Sequence, residues 1–126
     1  MTLNILLSGR VPSKKNSRIC FVKYGKMMNI PSKAYKEWHK DASEHLLSTG
    51  SPLVENIESV TLSFWAPDKR ATDLSNKAES IMDLLVDNGI LLDDNWNVVP
   101  NLNLKFMGVD RSNPRCHIEI LEKSNG

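Results

Sequence analysis

Ser59-Val60-Thr61-Leu62-Ser63-Phe64-Trp65 alternates apolar and polar side chains, then runs into Pro67-Asp68-Lys69-Arg70, a turn carrying exposed charge. Alternation marks a strand with one buried face, so Val60, Leu62 and Phe64 are assigned to a core, with Ser59, Thr61, Ser63 and Trp65 opposite. Beyond the turn the period changes. From about Ser75 to Asn88, Ala78, Ile81, Met82, Leu85 and Val86 recur at three- and four-residue steps, the stripe of an amphipathic helix. Gly89 stands where a left-handed residue closes such a helix.

The flanking sequence extends this pattern. Leu3 to Leu7 reads as a first strand, closed by Ser8-Gly9 and Pro12-Ser13. Arg18 to Tyr24 and Lys26 to Ile30 flank Gly25 as a ragged hairpin. Pro31-Ser32 opens a helix with Ser32 as N-cap, and Tyr35, Trp38, Ala42 and Leu46 form its apolar face up to Gly50-Ser51-Pro52. Leu102 to Val109 and Cys116 to Leu121 are closing strands, separated by the polar turn Asp110 to Pro114. The expectation is one α+β domain over residues 1–126: a sandwich of a mixed sheet and two main helices, in strand-strand-helix-strand-helix-strand order.

A chain of 126 residues hides roughly two-thirds of its unfolded surface on folding, so it needs no covalent staple. The apolar start, Met1 to Leu7, is too brief for a signal segment, and no run approaches the roughly 20 residues of a membrane span. A soluble protein with no membrane partner is expected. Cys20 and Cys116 sit among alternating apolar residues and are expected as buried free thiols. A zinc site is not expected, because His39 and His45 face different ways on their helix and Cys116-His117 lacks a second ligand pair.

The net charge of +1 conceals two blocks. Arg10, Lys14, Lys15, Arg18, Lys23 and Lys26 follow one another with no acidic residue among them. Between Asp73 and Asp94 stand Asp73, Glu79, Asp83, Asp87, Asp93 and Asp94, against Lys77 alone. Such separation suggests that one part holds an anion and another a cation. Asn76, Glu79 and Asp83 share the helix face opposite the apolar stripe. Asp93-Asp94 follow a short apolar link that can fold back toward Asp73. Gathered carboxylates repel one another, and a hard divalent cation relieves that repulsion. Such an ion polarises a phosphoryl oxygen, generates hydroxide from water and neutralises a leaving oxygen. The same residues also suit plain surface roles, Asp73 favouring a helix dipole and Asp93-Asp94 a turn.

In this order and spacing, Asp73, Leu74, Asn76, Asp83, Leu85, Gly89, Asp93 and Asp94 resemble the motif of the RusA-type Holliday-junction resolvases. That motif is Asp-Leu-Asp-Asn entering a helix, a Lys, an Asp-x-Leu, a Gly and then Asp-Asp. Pro67-Asp68-Lys69-Arg70 resembles the family's basic turn, Pro12 to Arg18 its Pro-Ser-x-Asn loop, and Tyr35 also fits, so the likeness spans most of the chain. The resemblance implies a homodimeric, Mg²⁺-dependent endonuclease (Mn²⁺ a possible substitute) that nicks four-way DNA junctions in recombination and repair. It also implies a cytoplasmic location in a bacterial or phage setting. Asp73 and Asp94 match the family's metal-binding carboxylates.

Two positions depart from the family pattern. Ser75 stands where the motif has its second Asp, and Glu79 where it has its lysine. Glu79 lies one turn beyond Ser75 on the same face, so it is expected to replace the lost ligand, beside Asp73, Asp94 and Asp93. Lys77 is expected to supply the cation. Lys14, Lys15, Asn16 and Arg18, with Lys69 and Arg70, are the expected phosphate contacts. Ser75, Asn76 and Asp83 form a second tier. Trp65 suits either an unpaired base or a dimer interface, Trp38 the core, and Trp96 either a core anchor or a site wall. Two other readings stay open: a junction-binding protein that has lost catalysis, and a different phosphoesterase using the same acidic residues.

Overall fold

The computed structural model describes residues 2–13, 18–23 and 25–124, with 18–23 and 26–31 described by backbone alone. Its elements are β1 (Thr2–Ser8), β2 (Arg18–Lys23), β3 (Lys26–Pro31), α1 (Lys33–Thr49), β4 (Ile57–Ala66), α2 (Leu74–Asp87), β5 (Leu102–Val109) and β6 (Arg115–Glu122). Strands β2 and β3 form a separate antiparallel hairpin. The other four make a mixed sheet in the order β1-β6-β4-β5, so the expected α+β class holds.

Alternation puts three apolar rows across one face of that sheet. Leu7, Cys116, Phe64 and Phe106 align in one row, and Ile5, Ile118, Leu62 and Leu104 in the next. Leu3, Ile120, Val60 and Leu102 make the third. Val60, Leu62, Cys116, Ile118 and Ile120 are wholly buried there, beneath Ala42 and Leu46 of α1 and Ala78, Ile81, Met82, Leu84 and Leu85 of α2. Burying each large aliphatic side chain contributes about 1.5–3 kcal/mol, so these rows dominate the stability of the domain. Trp38 packs only partly against this core. Trp96 is 80% exposed and is therefore not a core anchor.

Strands β4 and β5 run parallel, and parallel neighbours need a crossover connection. Helix α2 is that connection. It starts at the carboxyl end of β4 and carries the chain back toward the amino end of β5, about 20 Å away at 1.5 Å per residue. The helix buries more than the anticipated stripe. Leu84, Lys77 and Ser80 are also enclosed, while Val86 is only half-buried. Ser80 donates to the Pro12 carbonyl at 2.7 Å and Lys77 to that of Val11, so the segment after β1 is clamped along α2.

Both helices end as their sequences dictate. The Ser32 hydroxyl accepts from the Tyr35 N–H at 3.2 Å at the start of α1. After α2, Gly89 adopts φ +70°, and the Ile90 and Leu91 N–H groups return to the Leu85 carbonyl at 3.0 and 3.3 Å. A Cβ at Gly89 would meet no atom, so replacing it costs backbone strain alone. Gly89→Ala is expected to lower stability by about 1–2 kcal/mol, as read by urea denaturation; an unchanged midpoint would refute the strain. The two helices are joined by His39 Nε2 on Asp87 Oδ2 at 2.9 Å and by Asn88 Nδ2 donating to Ser43 Oγ at 3.0 Å.

On the other face of the sheet, the Arg115 guanidinium lies 4.0 Å over the Trp65 ring and pairs with Asp110 at 2.9 Å. Trp65 is thus covered by its own chain. Cys116 is a free thiol, and burial pushes it up to about 12. The Cys20 side chain lies outside the described residues. No described helix is long and apolar enough to cross a membrane.

Candidate functional site

The carboxyl ends of parallel strands are where ligands settle in open sheets, because the chain must leave the strand there and a crevice opens. Here Ala66 ends β4, and the turn Pro67–Thr72 leads into Asp73 and α2. Phe64 and Ala66 of β4, Phe106 of β5, and Lys69, Arg70, Thr72, Leu74 and Lys77 line a cleft of about 330 Å³ at this edge. Two of the expected phosphate contacts, Lys69 and Arg70, therefore share a wall with Lys77.

The turn is fixed by Asp68. Its carboxylate accepts the Arg70 N–H at 3.0 Å and the Arg70 guanidinium at 3.2 Å. The Arg70 N–H, chiefly, and then its side chain hold Asp68 below the usual carboxylate range, and Arg10 adds to the effect. Lys77 is buried beside them, its ammonium hydrogen-bonded to the Val11 carbonyl. Burial pulls its proton affinity down, the Arg10 charge pulls it further, and Asp68 opposes both. Lys77 is therefore an enclosed cation in the wall of the clefts it lines.

Asp73 occupies the N-cap of α2, a position where a carboxylate ordinarily binds the first helical N–H groups. It makes no such cap. Its carboxylate is exposed and, among the described residues, accepts from Asn76 Nδ2 alone, at 3.3 Å. Thr72 and Leu74 on either side line the cleft, so an uncommitted carboxylate stands at the rim of a cationic crevice. Ser75 and Glu79 are both exposed, one turn apart on α2, while Asn76 and Asp83 are half-buried.

Asp93 and Asp94 stand in the segment between α2 and β5. Asp93 accepts the Asp94 N–H at 2.7 Å and Asn95 Nδ2 at 3.1 Å, and these bonds, that of Asp94 first, hold it low. Asp94 is pushed up, first by partial burial, then by the hydrogen bond it shares with Asp93 and by the charges of Asp93 and Asp83. Asp83 stands ten residues beyond Asp73, roughly 15 Å along the axis. The charge of Asp83, on the third turn of α2, reaches Asp94 after the link beyond Gly89. Ile90 and Leu91, buried and bonded to Leu85, pin the start of that link under the helix end. Among the described residues, no three His, Cys, Asp or Glu side chains converge closely enough to hold a metal ion. The expected gathering of Asp73, Asp94, Glu79 and Asp93 is accordingly not assembled within this single chain.

Lys14, Lys15 and Asn16 lie outside the described residues, as does the Arg18 side chain. Sequence reasoning passed over Arg10, Thr72 and Trp38 as site residues. Arg10 carried a signal, a cation set by Gly9 at the end of β1, but Thr72 and Trp38 carried none. No protein-family model matches the chain, and no curated protein matches it in sequence.

Proposed function

We propose that this protein is a metal-dependent endonuclease acting on branched DNA, with the four-way junction as its substrate. The observation that carries this reading is Asp73, a helix-opening carboxylate that leaves its cap unmade and stands between two residues lining a cleft with Lys69, Arg70 and Lys77. A phosphodiester needs both halves of that pair, cations for its phosphate and a carboxylate for a divalent ion. The ordered likeness to the RusA-type motif points to the same chemistry.

The ligands on this reading are drawn from Asp73, Asp94, Glu79 and Asp93. Their oxygen-only donor set fits Mg²⁺, with Mn²⁺ as substitute; a closed cage of three protein ligands from one chain does not fit. Mg²⁺ commonly takes one or two carboxylates and completes its shell with water and substrate phosphate. When bound, the ion polarises the scissile phosphate and activates water. Lys69 and Arg70 hold the backbone phosphate, and the enclosed Lys77 adds positive charge from the cleft wall. A homodimer matches the two equivalent strands of a junction, one site for each nick.

A second reading, a junction-binding protein without catalysis, draws on the same missing cluster and on Ser75 and Glu79 at the departed positions. A labelled synthetic junction incubated with and without Mg²⁺ separates the two. Nicking only with Mg²⁺, and at least tenfold slower in Glu79→Gln, is the expected result. Binding without nicking at any Mg²⁺ or Mn²⁺ concentration selects the second reading, and nicking unaltered in Glu79→Gln removes that residue from the site.

A further inference from the structure

The cleft at the end of β4 is one of three that join. Thr72 and Lys77 also line a second cleft, of about 460 Å³, with Arg10, Pro12, Ser13, Ala34 and Trp38. Arg10 and Trp38 in turn line a third, of about 300 Å³, which runs along Leu7–Gly9 to Asp41 and His45 of α1. Sharing these residues, the three clefts adjoin, and together they trace a trough from α1 across the start of α2 to the sheet edge.

Its lining places Trp38 toward α1 and Phe106 at the sheet edge, with Arg10, Lys77, Thr72 and Arg70 among the residues between them. The lysine spends one donor on the Val11 carbonyl, and an ammonium has three. Arg10 makes no ion pair among the described residues. Of the carboxylates, Asp68 is engaged by Arg70, Asp41 lies at the far end and Asp73 stands at the rim. Four cations (Arg10, Lys69, Arg70, Lys77) thus stand against three carboxylates, and the surplus invites an anion. Cations with an aromatic ring at either end suit an unpaired strand, whose phosphates track the charges while its bases lie on the rings. A duplex keeps its bases stacked inside and has no use for the rings.

We infer that this trough binds a single strand of DNA, leading it past Asp73. The inference rests on the nuclease reading for its biological sense and adds to it the element recognised, an unpaired strand at a branch point. It is tested by binding alone, in EDTA, with fluorescein-labelled (dT)12 and a duplex of equal length as probes. The strand is expected to bind at least fivefold more tightly than the duplex. Arg10→Gln and Trp38→Leu are each expected to weaken it roughly five- to tenfold, with Trp38→Phe restoring most of the loss because a ring is restored. Lys40→Gln, an exposed cation on α1 away from the trough, is expected to change it less than twofold. Equal affinity for strand and duplex, or indifference to Arg10→Gln, overturns the inference. Should Trp38→Leu fail to fold, Arg10→Gln on the exposed rim decides alone. Strand binding that persists where junction nicking is absent supports the trough and removes only the nuclease reading. Nicking that proceeds without strand binding removes only the trough.

Discussion

Asp94→Asn is expected to lower Mg²⁺-dependent nicking of a four-way junction by on the order of 100-fold or more, while raising the melting temperature measured in EDTA. The first effect follows from what a bound divalent ion contributes. Charge stabilisation of several kcal/mol is lost with a ligand, and each roughly 1.4 kcal/mol is tenfold in rate. The second has the opposite sign because Asp94 is strained as an anion. Partial burial, Asp93 and Asp83 all push its proton affinity up in the folded protein. A carboxyl raised above its unfolded value of 3.8 is more protonated in the native state, so its contribution falls as pH rises through the folded value. At pH 7 the full penalty is present, and an uncharged amide removes it. Thermal melts of the two proteins should therefore differ at pH 7 and converge near pH 3. Undiminished nicking would exclude Asp94 from the chemistry. A lower melting temperature would mean that its neighbours are compensated by something other than repulsion.

Much of this architecture was readable in the chain, for reasons that also explain what was not. A period of two told which side of β4 is buried, and the steps of α2 told its inner stripe, because both depend on local geometry. Ser32 and Gly89 were legible because caps are local chemistry. The neighbour of each strand was not. Alternation in Leu102–Val109 fits any partner, and its parallel pairing with β4 depends on where α2 delivers the chain. Lys77 looked like an available cation, yet its partner is a carbonyl 66 residues earlier, and Ser80 meets one 68 residues earlier. The same blindness hid the trough, since Arg10, Trp38 and Thr72 come from three separate segments. For Asp94, spacing left a range of positions, because the hydrogen bonds of Ile90 and Leu91 to Leu85 that start its link are not legible in the chain.

Leu62→Ala carries the largest expected cost to stability. Leu62 has no exposure and lies in the row Ile5, Ile118, Leu62, Leu104, with α1 and α2 above it. Truncation removes the transfer free energy of the lost methyl groups and leaves a void that close-packed neighbours fill only in part, together about 3–4 kcal/mol. The strand cannot shift to close the gap, because β4 is paired on both sides along most of its length. Domains of this size are stable by about 5–15 kcal/mol, so the loss is roughly a fifth or more of the total. It should lower the urea midpoint with the slope unchanged, and the melting temperature by roughly 10 °C. Leu104→Ala supplies the contrast. Leu104 belongs to the same row but sits on the edge strand, half-buried, where solvent and neighbours can enter the space. Its cost should be less than half that of Leu62→Ala. If the two cost the same, the row is not graded from centre to edge, and β5 is covered by something beyond this chain.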